Sequence, residues 1–357
     1  MSESNDIVIT ALSALTPVGA NAEQSCAAIA AGINRIGEHA YYECTPDDPE
    51  WDEPLPLYVS DVPVVDPFQD GTERLLELAL PALTELMGGA GLRRSDLENC
   101  GLMLALPPMD KATRAMNLAS VMVPELCKRT GLTTLKLWKT SQTGNTGVFK
   151  LLQSASQKLQ DGDIEYCIVG GVDSYLLEER LEFYDAAWRL RSGRNVDGFI
   201  PGEAAAMLML ETAQHAKSRG ASILARIGSI GEGMESQTIL DDKHSTGVGL
   251  TQAIESVLQS GVFEQGFDTV YCSLNGESYN AFEWGVVLTR LGDALAQMKN
   301  LVHPADCVGD VGAATGALLL ACATSDIMNN TKSSPSLLWC SSDSGQRIAL
   351  SLLVGEG

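Results

Sequence analysis

The sequence predicts an α/β protein with helix layers around mainly parallel sheets, on three observations. Short apolar runs rich in β-branched residues alternate with segments of helical period along the chain, as strands covered on both faces do. The stretch "ILARIGSIGEG" at 223–233 repeats the strand-then-glycine character of the opening "DIVITALSALTPVG", so the chain reads as two related halves, 1–215 and 216–357. The 357 residues are 45% hydrophobic and 20% charged with mean hydropathy +0.03, which suits a folded chain with one large core or two fused ones.

In order, a strand from Ile7 to Thr10 leads through a Pro-Gly turn into a helix over 21–34. The stretch 43–70, rich in Pro, Asp and Glu, reads as surface connection. A helix over 71–91 is expected to break or restart near Pro81, and a helical stretch over 112–131 to break at Pro124, with a buried strand at 100–107 between them. After "TLKLWKTS" a polar turn precedes a helix starting at Thr146, whose Val148, Leu151, Leu152, Ala155 and Leu159 share one face. A strand follows at 166–171. Beyond 223–233 the alternation continues with a helix at 249–261, a strand at 269–276, a helix at 317–328 and strands at 336–342 and 348–354.

Charge narrows the function. Lys plus Arg number 24 against 46 Asp plus Glu, a formal charge of −22 that repels phosphate backbones and anionic lipid, so neither nucleic acid nor a membrane is the expected partner. The opening "MSESNDIVIT" has no signal-like apolar core, and a cytoplasmic location is expected. Nine cysteines lack CxxC or CxxH spacing and read as buried or inert thiols. His39, His215, His244 and His303 lack ligand spacing too, so neither metal nor cofactor is expected.

Four segments carry a resemblance. "VITALSALTPVG" at 8–19, "GDIEYCIVGGVDSY" at 162–175, "DGFIPGEAAAMLMLETAQHAKSRGA" at 197–221 and "GDVGAATGALLLA" at 309–321 resemble, in that order, segments of the β-ketoacyl-ACP synthases of the thiolase superfamily. The third is the specific one: it is similar to the signature D-G-F-x-x-G-E-G-A-A-x-x-x-L-E followed by H-A-x-x-R-G-A. The resemblance implies a five-layered αβαβα thiolase fold built from two related halves. It also implies a homodimer paired through the strand before the nucleophile turn, here "TLKLWKTS". Active members join an acyl chain to a malonyl unit decarboxylatively, with a Cys at a helix start and two His residues.

Carried over residue by residue, that machinery is substituted throughout. The Cys position falls on Asn145, the first His position on Asn275 before Gly276, the second on Asp310 after Gly309, and the supporting Lys position on Ala305. A thiol at a helix N-terminus is partly ionised and accepts an acyl group, whereas an amide forms no thioester. Decarboxylation needs donors aimed at an enolate oxyanion: Asn275 offers an N–H, an ionised Asp310 offers only acceptors, and a protonated Asp310 would itself donate, which leaves that half-reaction disfavoured but open. Simpler roles are available: Asn145 and Asp310 as helix N-caps, Glu277 and Asp310 as solvated or hydrogen-bonded acids rather than an acid/base pair. Thr143, Thr146 and Ser278 offer hydroxyls with no assignable base. The glycines of "GGVDS" and "DGFIPGE" read as aids to tight turns and close strand packing, with no dinucleotide fingerprint. Arg189, Arg191 and Arg194 form a short basic stretch, read as solvated surface or as a dock for an acidic carrier domain or partner.

Three functions remain. The first is a β-ketoacyl-synthase-like scaffold, adaptor or partner subunit without turnover, including a secretion-associated one such as a type VI adaptor. The second is a divergent acyltransferase acting on acyl-carrier or CoA thioesters, and the third a thioester or carrier-protein binding module. Loss of every reactive group alongside the glycine-rich scaffold favours the first.

Overall fold

The structure, a computed structural model, describes residues 5–45, 53–92, 94–241, 243–263, 266–332 and 334–355. Its strands are β1 (Ile7–Leu15), β2 (Gly37–Cys44), β3 (Leu55–Val59), β4 (Cys100–Ala105), β5 (Leu137–Ser141), β6 (Tyr166–Ser174), β7 (Glu203–Thr212), β8 (Ala225–Met234), β9 (Thr269–Cys272), β10 (Asn300–Val302), β11 (Ser336–Ser341) and β12 (Gln346–Val354). The α-helices are α1 (Ala22–Ala30), α2 (Gly71–Ala90), α3 (Leu118–Thr130), α4 (Gly147–Gln160), α5 (Glu178–Ala186), α6 (Ala213–Ser218), α7 (Val248–Leu258), α8 (Ser278–Arg290), α9 (Gly292–Leu295), α10 (Ala305–Val308) and α11 (Thr315–Met328).

A ten-stranded sheet runs in the order β10-β9-β11-β12-β8-β1-β7-β6-β4-β5. Outward from its middle, the two sides carry one topology. β1 is antiparallel to β7 and β7 to β6, while β6, β4 and β5 are parallel; β8, β12, β11, β9 and β10 repeat that sequence of directions. The halves meet in a short antiparallel pairing, with Ile7 opposite Ile227, Val8 opposite Arg226 and Ile9 opposite Ala225. Each half is thus mixed rather than mainly parallel, because β7 and β12 return antiparallel to their neighbours. The expected boundary at 215 and 216 falls inside α6, and the second half's first strand starts at Ala225.

Period-two alternation builds five layers. In β7, Met207 and Met209 face out against Leu75, Leu83 and Leu86 of α2 and Met122 of α3, while Ala206, Leu208 and Leu210 face in. The inward layer is α4 and α11, which also packs against Leu338 of β11 and Ile348 and Leu350 of β12. On the far side, Leu337, Trp339 and Ala349 meet Leu250 and Ile254 of α7 and Trp284 of α8. The layers run helix, sheet, helix, sheet, helix.

Three local expectations fail for identifiable reasons. α2 and α3 run unbroken through Pro81 and Pro124. Both prolines are exposed, so a carbonyl deprived of its donor can be hydrated while the opposite face stays buried. The stretch read as surface connection contains β3 and the end of β2, which form a two-stranded sheet. There Cys44, Leu57 and Val59 pack on Tyr175, Leu181, Tyr184 and Phe199, a short alternation that the surrounding Pro and Asp residues obscure; residues 46–52 of that stretch lie outside the described residues.

Candidate functional site: a closed amide and carboxylate cluster

Asn145, Asn275 and Asp310 are 35 to 165 residues apart in sequence, and the fold brings them into contact. Asn145 stands in the 3₁₀ turn Gly144–Thr146 between β5 and α4. Asn275 follows β9. Asp310 lies in the turn before α11, which two close approaches fasten down. A Cβ on Gly171 of β6 would stand 2.1 Å from the Ala313 carbonyl oxygen, and one on Gly202 would stand 2.1 Å from that of Val308, so only glycine lets this turn reach the sheet. The Asp310 N–H donates to the Ile200 carbonyl at 2.8 Å and the Gly202 N–H to the Asp310 carbonyl at 2.9 Å.

The side chains then saturate one another. Asn145 Nδ2 donates to Asp310 Oδ1 at 3.2 Å and to Thr315 Oγ1 at 3.4 Å. Asn275 Nδ2 donates to Asp310 Oδ2 at 2.8 Å and to Glu277 Oε2 at 2.9 Å, while its Oδ1 accepts from the Glu277 N–H at 3.2 Å and Asn280 Nδ2 at 3.0 Å. Gly312 N–H adds a third donor to Asp310, at 2.8 Å. Glu277 is gripped by Arg189 at 2.7 and 2.8 Å, and Arg189 reaches on to Asp343 at 2.6 Å. Ala305 opens α10 on the wall of the same cavity, which Asn145, Cys272, Asn275, Asp310 and Thr315 also line. Its volume is about 10 Å³, room for about one water.

Electrostatics set what this cluster can do. Burial pushes the Asp310 carboxyl up from its ordinary range, against the pull of the Gly312 N–H and the two amides. Burial likewise pushes Glu277 up, opposed by Arg189. Glu277 and Asp343 share the Arg189 guanidinium, and Asp310 is joined to Glu277 through the Asn275 amide; an ionised Asp310 offers a malonyl carboxylate or an enolate only acceptors. Burial pushes the thiol on this wall, Cys272, up to about 12, so it stays protonated and a poor nucleophile.

Several expected roles are corrected. Asn145 is no N-cap: α4 begins without a side-chain cap bond, and the Asn145 amide is spent as a donor to Asp310. Asp310 precedes the cap position Val311 and accepts from the Gly312 N–H two residues on, an Asx turn. Glu277 and Asp310, by contrast, follow the expectation of hydrogen-bonded acids: both are buried and bridged by the Asn275 amide. Arg189 and Arg194 turn inward, to Glu277 and Asp343 and to Asp185 at 2.5 Å, which leaves Arg191 as the exposed arginine of the expected dock. Thr146 Oγ1 is buried against Gln346 at 3.0 Å, Thr143 Oγ1 lies 3.1 Å from Ser141, and Ser278 Oγ donates to Asp197 at 2.6 Å. Among the described residues no imidazole bonds to this cluster: His215 pairs with Glu211 and His303 with Asp306. Nor is any group of three or more His, Cys, Asp or Glu placed to hold a metal, and the nine thiols are free.

Beneath the cluster, Asp173 accepts from the Ala313 N–H at 2.7 Å and pairs with fully buried Arg180. The sequence signal was an acid within the wholly buried strand β6 and a base seven residues on, which require partners inside the core.

Residues 139–216 match the family model described as "Beta-ketoacyl synthase, N-terminal domain". In sequence and fold the chain is similar to the thiolase-like β-ketoacyl synthases. It is 25% identical over 179 residues to the 3-oxoacyl-[acyl-carrier-protein] synthase 2 of Rhizobium meliloti (strain 1021), a match that covers 46% of this chain and 42% of that relative. Among solved structures, a ketosynthase of a type II polyketide synthase, bound to the hexaketide and in complex with its acyl-carrier protein, superposes with TM-score 0.79 at 16% identity over 98% of this chain and 99% of that one. The ishigamide ketosynthase/chain length factor does so with TM-score 0.74 at 18% identity over 98% and 99%. At such identities the superpositions establish the thiolase fold and nothing beyond it.

Proposed function

We propose that this protein is a non-catalytic β-ketoacyl-synthase-fold scaffold, a cytoplasmic partner subunit or adaptor whose site has been closed. The carrying observation is that Asn145, Asn275 and Asp310, which stand where the family places its Cys and two His, hydrogen-bond to one another around a cavity of about 10 Å³. A thioester meets no nucleophile at these three positions, and the cavity between them has room for about one water. The likeness to a ketosynthase/chain length factor supports a role beside another chain. The surface for it is β5, the last strand of the sheet, whose outer edge has no strand beside it among the described residues and whose Trp138 is 47% exposed. Through this edge the chain forms a homodimer or pairs with a second chain of the same fold.

Mass spectrometry after incubation with acyl and malonyl thioesters tests the first part. No acyl adduct and no CO₂ release are expected, from the wild type or from Asn145→Cys; an adduct lost in Asn145→Ala would promote the divergent transferase. Sedimentation of the purified protein, alone and with co-purified proteins, tests the second. A monomer that gains no partner would remove the subunit reading, and the bound chain's identity separates a condensing partner from secreted cargo.

A further inference from the structure

The end of α5 runs against local preference. Trp188 follows it with φ 56°, while its N–H donates to the Asp185 carbonyl at 3.0 Å and the Arg189 N–H to that of Tyr184 at 3.0 Å. Glycine is the ordinary residue at such a helix stop, and a bulky aromatic with positive φ is an outlier there. Its backbone is nevertheless held. Asn195 Nδ2 donates to the Trp188 carbonyl at 2.6 Å, and the Arg194 guanidinium carbon sits 4.2 Å from the indole centroid. The result is an indole fixed in direction and 51% exposed.

Directly before it on the same helix lies a groove of about 780 Å³. Phe183, Ala186, Ala187 and Ala112 give it apolar walls, and Glu179 and Glu182 stand against a single cation, Lys111. Small side chains leave space for an aliphatic stem, the carboxylates favour a cationic head, and an indole is the best aromatic partner for a cation. The chain's charge of −22 also draws cationic partners toward it.

We propose that this groove docks a basic segment of a partner protein. The Lys or Arg stems of that segment lie on Phe183, Ala186 and Ala187, and their head groups meet Glu179, Glu182 and the solvent-facing side of Trp188. An acidic carrier domain is the wrong partner for this face.

Fluorescence anisotropy with a labelled short peptide of alternating Lys and Leu pairs tests this on the full chain at low and high salt. Glu179→Gln with Glu182→Gln should weaken binding about tenfold. Trp188→Gly, which places the favoured residue at the helix stop, should melt no lower than the wild type yet bind the peptide about two- to fivefold more weakly. Glu232→Gln with Glu255→Gln, exposed acids on β8 and α7, should leave binding unchanged. If that control pair weakens binding as much as the groove pair, only the overall field attracts the peptide and the proposal fails. It fails too if Trp188→Gly and the groove pair bind as the wild type does, or if the groove variants convert an oligomer to monomer, which would make the occupant a second copy.

Discussion

The two turns that face each other across the cluster lead into helices of equal length and opposite surroundings. Gly144–Thr146 precedes α4, and Gly312–Ala314 precedes α11, each helix 14 residues long. α4 buries Val148, Leu151, Leu152, Ala155 and Leu159 on one side and shows Lys150, Gln157 and Lys158 on the other. α11 is buried from Thr315 to Thr324 without a break. Equivalent places in a duplicated topology thus differ in what surrounds them: α11 lies between the two halves of the sheet, and α4 at the rim of the same layer. The Asp310 turn is clamped by backbone on β6 and in the segment just before β7, whereas Asn145 enters the cluster through its side chain.

The largest effect that would break this contrast lies in α11. Leu319→Ala should cost about 2–5 kcal/mol in urea unfolding, because the residue is fully buried and the tightly packed helix cannot collapse onto the void. A loss below about 1 kcal/mol would mean that the central layer is looser than its burial implies.

Asp310→Ala comes next, at about 3 kcal/mol, since it strips the acceptor from the Gly312 N–H and from both amides at once. Titration sharpens the same site. The native carboxyl is raised above its unfolded value, so its contribution to stability is fully present below the ordinary carboxyl pKa of about 3.9 and is lost as pH rises through the native one. Asp310→Asn cannot ionise, and its stability should fall less than that of the wild type from about pH 4 upward; equal slopes in unfolding at several pH values would remove Asp310 from the account.

Asn145→Ala should cost about 1–2 kcal/mol, from its bond to a buried carboxylate rather than from lost capping. The helix content of α4, read by hydrogen exchange of its first turn, should therefore be unchanged; fraying there would restore the cap. Lys150→Ala, on the exposed side of α4, should stay within about 0.5 kcal/mol of the wild type.

Much of the fold was legible. The alternation of apolar runs and helical periods located β4, β6, β8, β12, α1, α7 and α11, because a strand covered on both faces must be apolar throughout and a central helix apolar all round. Positions 145, 275, 305 and 310 were singled out by the resemblance alone, and the structure sets all four on the wall of one cavity. Some of the rest was local but faint: Leu55, Leu57 and Val59 alternate over too few residues to stand out among Pro and Asp. The persistence of α2 and α3 through proline depended on which side of the helix the ring faces, which is settled only when the opposite face finds its sheet.

By itself, the sequence determined that a thioester cannot form at Asn145 and that the chain folds as a duplicated α/β structure, since both follow from residue chemistry and period along the chain. Only the tertiary structure decided what the substituted residues do. Asn145 reads as a cap, Asp310 as another and Arg189 as a docking charge while each is considered with its sequence neighbours. A buried polar group takes whichever partner the fold sets beside it, and here the partners of Asn145 lie 165 and 170 residues away. An amide that would cap a helix in isolation thus becomes the donor that holds a carboxylate in place.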